Sequence, residues 1–275
     1  TLVFVTASWC PSCQDLKKEV LTDVAHRDLL DRFERVRVDF DLEASHRWVR
    51  ELVILGLPTV VVLKPDGTPV GRIRGYRDAP AWTKELEGLS GEEDRRAGLE
   101  RAAQNPDANP ETLLKCARLL LERGEEEEAL KRLRGLGSSG DPEVAPNALF
   151  VLGRYFHRVK RDPLLARPVW REIALGFPES PFAPGAWWWY ARAEAESGHV
   201  GSGARALLDA ARNKPQDSGR VRRAAAYLKK HPQLRGPLRN ELLDAIGESL
   251  RSTDVPSERA TLEALRDQVR ALRLD

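Results

Sequence analysis

A short apolar run, Leu2-Val3-Phe4-Val5, leads into Ser8-Trp9-Cys10-Pro11-Ser12-Cys13, and a helical segment from Gln14 to Leu21 follows. Two cysteines three residues apart at a strand-to-helix junction constrain this chain more than any other feature. Pro11 suits the first helical position, because the N–H it lacks would have no partner there. Cys10 is then the N-cap, its sulfur facing the unpaired N–H groups and the positive end of the helix. A thiolate is favoured in that place, so Cys10 is expected to be the nucleophile, with a lowered pKa. Cys13 lies about one turn further in, close enough to close a disulfide on Cys10. A zinc site would need two more ligands, and no second cysteine pair or Cys/His cluster follows. A redox dithiol needs none, and zinc shared between two chains stays as the alternative.

The order of elements over residues 1 to 90 reads strand, helix, strand, helix, strand, strand, helix. Leu2 to Thr6 is the first strand. The helix from Pro11 breaks near Thr22-Asp23, where Asp23 caps a second piece, Val24 to Phe33. Arg35 to Phe40 alternates with period two and reads as a strand. Glu43 to Leu52 is amphipathic. Thr59 to Leu63 is continuously apolar and β-branched, which predicts a central strand covered on both faces. Pro65-Asp66-Gly67 is a turn, Val70 to Arg74 the returning strand, and Ala79 to Leu86 a closing helix.

Trp9-Cys10-Pro11-Ser12-Cys13, together with Gly56-Leu57-Pro58-Thr59 before a Val-rich strand, carries a family resemblance; Pro58 stands 45 positions after Cys13. Residues 1 to 90 resemble the thioredoxin family. The tighter resemblance is to the C-terminal thioredoxin-like domain of bacterial transmembrane thiol–disulfide interchange reductases, the DsbD type. These share the Gly-Leu-Pro-Thr element, the broken first helix and the Asp-Gly hairpin. The resemblance implies catalysis by Cys10 and Cys13, with Trp9, Pro11, Leu57 and Pro58 against the substrate. It also implies a cis Pro58 that packs on the active-site disulfide, keeps metal out and lets the preceding backbone pair with an extended substrate strand. Read alone, Leu57-Pro58 could equally begin a strand, where proline is tolerated. Three departures stand out. Phe4 occupies the place of a buried acid, Lys17 the place of another, and no strand and helix precede the active-site strand, so a four-stranded sheet is expected. A carboxylate proton relay is therefore in doubt; Lys17 reads as a solvated residue or as a charge favouring a thiolate.

From Glu92 onward the strand signals vanish and Ala, Leu, Arg and Glu dominate, so a boundary is placed at 90/91 after Leu89-Ser90-Gly91. A helix over 92–104 ends in the turn cluster 105–110. An internal repeat follows. Leu113, Ala117, Leu120, Ala129, Leu133 and Leu136 align with Leu149, Gly153, Phe156, Ala166, Trp170 and Ile173, then with Trp187, Ala191, Glu194, Ala204, Leu207 and Ala210. The small residue recurs at 117, 153 and 191, and Pro178 and Pro215 close the later units. The pattern resembles tetratricopeptide repeats, in which paired helices need a small residue where they cross and each pair must stack on the next. Helices over 219–229, 238–249 and 257–272 complete an all-α region, the last with a charged outer face suited to a cap. Trp187-Trp188-Trp189-Tyr190 reads either as an exposed patch for an extended peptide or as a helix buried on most sides. Cys116 reads as a small buried apolar residue, His157, His199 and His231 as surface or capping residues, and Glu125 to Glu128 as a solvated first turn.

The whole chain therefore reads as an α/β thioredoxin-like domain (1–90) followed by an all-α, tetratricopeptide-like repeat domain (91–275). The expected function is thiol–disulfide exchange on protein disulfides, with the repeats holding a protein partner; the rival is a scaffold with a vestigial or redox-sensing first domain. An upstream redox partner is implied, and no cofactor beyond the dithiol. With 44 Lys and Arg against 42 Asp and Glu, the charge balance argues against nucleic acid. No apolar run approaches the ~18–20 residues of a membrane span. With Thr1 first and no methionine, the start reads as a processed or trimmed end, any signal or anchor lying upstream. The resemblance favours the bacterial periplasm or envelope; three cysteines do not decide against the cytoplasm.

Overall fold

Strand β1 (Leu2–Thr6) is buried along its whole length because it has neighbours on both sides. It runs parallel to β2 (Arg35–Asp39) and antiparallel to β3 (Thr59–Leu63), which pairs in turn with β4 (Pro69–Arg74). The sheet is thus mixed and four-stranded, in the order β2-β1-β3-β4. The computed structural model that shows this describes residues 1–8, 10–105 and 108–272, apart from the side chains of 90–96. A parallel pair needs a crossover. Here it consists of α1 (Pro11–Leu16), a π-helical continuation over Lys17–Leu21, a 3₁₀ turn over Val24–His26 and α2 (Arg27–Leu30). The predicted break falls at Thr22-Asp23, and Asp23 Oδ1 accepts from Ala25 N at 2.9 Å.

Alternation along β1 decides which helices cover which face. Leu2 and Phe4 pack with Leu16, Val20 and Leu30, and with Trp82 and Leu86 of α4 (Ala79–Glu87). Val3 and Val5 point the other way, onto Val49 of α3 (His46–Glu51), Leu52 and Ile54. Helix α3 stops without glycine. Val53 takes the left-handed conformation, φ 48°, while its N–H meets Arg50 O and the N–H of Ile54 meets Val49 O. This is the two-bond C-terminal motif in which glycine normally stands, and it aims the chain into Leu55–Pro58.

Packing divides the chain into two compact units, Thr1–Gly140 with Arg154–Arg161, and Asp141–Gly153 with Asp162–Asp275. In the first, Gly88–Gly91 is a 3₁₀ turn leading straight into α5 (Glu92–Ala103). Helices α6 (Pro110–Glu122) and α7 (Glu126–Gly137) follow as a packed pair. A buried ion pair ties β4 to α6. Arg72, 4% exposed, donates from Nη1 to Leu52 O at 2.7 Å and places Nε 3.4 Å from Glu122 Oε2. Arg74 pairs with the same carboxylate. The acidic start of α7 is paired as well as solvated: Glu126 meets Lys160 at 2.6 Å and Glu128 meets Arg132 at 2.7 Å.

The second unit is helical: α8 (Val144–Arg154, to Gly153), α9 (Pro163–Gly176), α10 (Ala183–Glu196), α11 (Val200–Asn213), α12 (Ser218–Lys230), α13 (Arg235–Ser252) and α14 (Pro256–Arg270). Consecutive helices from α9 to α14 pack on one another. Close crossings explain the recurring small residue. A Cβ on Gly153 would stand 2.8 Å from the Trp170 ring, and one on Gly203 would stand 2.6 Å from Ala191 O. The aromatic run is neither an exposed patch nor fully buried: all four side chains are half-buried. Trp189 stacks on Trp170 at 5.9 Å, Trp188 meets Tyr227 edge-on at 6.3 Å and Lys230 lies over Trp188.

Two outcomes follow from these contacts. Glu122→Gln leaves two guanidiniums without their counter-charge and should destabilise by about 3 kcal/mol in urea unfolding, whereas the pair Arg72→Met, Glu122→Leu should recover most of that loss. An unchanged unfolding midpoint for Glu122→Gln would remove the pair from the fold's supports. Gly153→Ala should cost about 1–3 kcal/mol by overpacking against Trp170, checked by thermal melting; Gly176→Ala, which meets nothing within 4 Å, is the control.

Candidate functional site

Cys10 stands at the N-cap of α1 with extended backbone, φ −92° and ψ 110°, and Pro11 occupies the first turn. Its Sγ accepts from Cys13 N at 3.3 Å. Its carbonyl accepts from Cys13 N and Gln14 N at 3.1 and 3.2 Å, so the helix begins on this residue. Cys10 and Cys13 are joined as a disulfide with Cα atoms 5.2 Å apart. Both are buried, with Ala7, under the half-buried side chains of Phe40 and Leu57. Pro11 is exposed beside them. Ser12 Oγ stands 3.6 Å from Cys10 Sγ, and Gln14 Nε2 donates to Ser8 O at 3.0 Å, fastening the approach to the helix. Trp9 lies outside the described residues.

The second wall is the loop that leaves α3. The Leu57–Pro58 peptide bond is cis and Pro58 is buried. Thr59 Oγ1 donates to Gly56 O at 2.8 Å, and Gly75 N donates to Pro58 O at 2.8 Å. Sequence reasoning placed Leu57 and Pro58 here and passed over Phe40, which it read as the end of a strand. The alternation of β2 alone does not reveal that Phe40, one residue past Asp39, turns onto the sulfur pair.

Beside Cys13 lies a cavity of about 240 Å³ whose walls include Phe4, Lys17, Leu21, Arg35 and Arg37. Among the described residues no carboxylate lines it. Phe4, where the resemblance expects an acid, is 3% exposed and belongs to the core, while Lys17 is exposed on the helix. A buried acid there would need a partner or would be neutral; an apolar ring needs neither. Among the described residues no group of three His, Cys, Asp or Glu comes together as a metal site.

Residues 1–90 match the family model of the thioredoxin-like domain. None of the curated proteins matches the chain. The matched stretch holds the whole sheet, both cysteines and the Leu57–Pro58 loop.

The other singled-out residues are Cys116 and three histidines. Cys116 is buried in α6, as expected, and burial pushes its thiol above the ordinary range against the pull of Arg132. His157 corrects its surface reading, being 7% exposed. His231 caps α12 and meets the Tyr227 ring at a tilt, centroids 4.4 Å apart, and burial lowers its pKa. His199 occupies the N-cap position of α11, 3.8 Å from Glu194. After reduction, a brief exposure to iodoacetamide at neutral pH should label Cys10 first and leave Cys116 unmodified, read by peptide mass spectrometry. Labelling of Cys116 ahead of Cys10 would contradict the assignment of the nucleophile.

Proposed function

We propose that the protein is a thiol–disulfide oxidoreductase acting on protein disulfides through Cys10 and Cys13. The observation that supports this most is the Cys13 N–H aimed at Cys10 Sγ from the first turn of a helix, with the second sulfur already in bonding reach. In the reduced state that N–H and the helix end favour a thiolate over a thiol. The Cys10 thiolate attacks one sulfur of a substrate disulfide, a mixed disulfide forms, and one substrate sulfur leaves as a thiolate that takes a proton. Cys13, having lost its proton, attacks Cys10 Sγ; the second substrate thiolate leaves, and the Cys10–Cys13 bond carries the two electrons' worth of oxidation. A dithiol donor runs the same two exchanges in reverse to restore the reduced pair. Pro11, Leu57 and Pro58 form the surface against which the substrate chain lies, and Trp9 belongs to it by the resemblance.

The helical pairs are the proposed partner-binding module, in the manner of tetratricopeptide repeats. Stacked pairs with small residues at their crossings support that reading. The bacterial periplasm or envelope is the proposed setting, supported by the DsbD-type resemblance, with the cytoplasm as the alternative. No described helix is long and apolar enough to cross a membrane.

Reduction of insulin by dithiothreitol, followed as turbidity, tests the redox reading. The wild-type protein should accelerate it and Cys10→Ser should not, while Cys13→Ser should accumulate a mixed disulfide trapped on Cys10. A wild-type protein that leaves the rate at its background value would favour a scaffold in which the dithiol has no turnover.

A further inference from the structure

We propose that Arg158, which lies 145 positions after Cys13 and outside the thioredoxin-like match, is a positioning residue for the dithiol site. The proposal rests on the redox reading above and adds to it a residue from the helical part of the chain. The π-helical segment Tyr155–Lys160 belongs to the same compact unit as the sheet and packs against α3. From it, the Arg158 guanidinium lies 5.1 Å from the centre of the Phe40 ring, and its Nη1 donates to Leu55 O at 3.4 Å. Phe40 and Leu57 are the two half-buried apolar side chains that cover Cys10 and Cys13. One arginine therefore touches one wall of the site directly and holds the backbone two residues before the other.

Neighbouring arginines bear on the same loop and helix. The end of Arg154 stands 3.0 Å from where a Cβ on Gly56 would be, so glycine leaves the room that this guanidinium occupies. Arg161 meets the ring of His46 at the first residue of α3. Arg158 lies between these two in the chain, against Phe40 on one side and the loop on the other. The loop's middle and end are already held by Thr59 and Gly75. Arg158 holds its beginning, and its planar fork suits a ring face and a carbonyl at once.

An extended peptide must lie along Leu55–Pro58 to bring its disulfide to Cys10, whereas a small disulfide needs only access to the sulfur. A loosened loop should therefore be felt by the peptide. Rates of mixed-disulfide formation are measured for the reduced full-length protein with a disulfide-bonded peptide and with hydroxyethyl disulfide. Arg158→Ala is expected to lower the peptide-to-small-disulfide rate ratio about tenfold, as misplacement of a bound substrate does. Arg158→Lys is expected to recover part of the ratio, because an amine reaches Leu55 O but does not lie flat on the ring. It also serves as the readout if the alanine variant does not fold. An unchanged ratio, or equal losses on both substrates, overturns the proposal. A wild-type protein that exchanges with neither substrate overturns the redox reading itself, a result distinguishable from the other two.

Discussion

The start of a helix leaves N–H groups with nothing to bond to, and in this chain one of the first of them meets sulfur. Everything at the site follows from that junction. Proline directly after Cys10 sets the helical turn without an N–H of its own, the turn brings Cys13 back over Cys10, and the Cys13 amide points at the leading sulfur. The strand that delivers Cys10 is buried between two others, so the junction sits on the most constrained part of the sheet. Sulfurs carried on a rigid element keep their geometry.

Around that junction Phe4 and Lys17 stand where the resemblance implies acids. Phe4 fills the core where a carboxylate would stand, and the cavity beside Cys13 has cationic and apolar walls. Charge elsewhere in the unit is handled by pairing. Arg72 and Arg74 converge on Glu122, and burial together with Arg118 lowers the pKa of Arg154 to about 10. A buried pair of this kind adds little net stability compared with apolar packing, yet breaking it is costly. Its effect here is to join β4 to α6, so that the sheet's surroundings extend beyond the stretch matched by the family model.

Much of the fold was legible in the residues. Alternation over β2, the β-branched run of β3, the Asp-Gly turn and the cap at Asp23 each specify local structure by short-range physics; the strands lie within a residue of their expected places, while the piece capped by Asp23 is a 3₁₀ turn and a short helix that ends at Leu30 rather than Phe33. The small residue at 153 was readable because the Trp170 ring leaves no volume for more, and Ala191 meets Gly203 too closely for a side chain there. What could not be read has non-local or disguised causes. Val53 ends α3 in a conformation that glycine normally signals, so the stop carries no mark in the sequence. His157 is buried, which its neighbours in sequence do not reveal. The Trp187–Tyr190 run disperses its rings to separate neighbours because consecutive helical residues face different directions.

By itself, the sequence determined the pair of cysteines at a strand-to-helix junction: two cysteines, a proline between them and a strand before them are all local, and one helical turn brings the two sulfurs within bonding reach. It also determined the apolar faces of the strands and the mainly helical character of the described residues after 91. Only the tertiary structure decided what surrounds the sulfurs. Phe40, the Leu55–Pro58 loop and Arg158 come together across 118 positions of chain (from 40 to 158). No periodicity encodes such a meeting, because it depends on how separately folded segments pack once their apolar faces are buried.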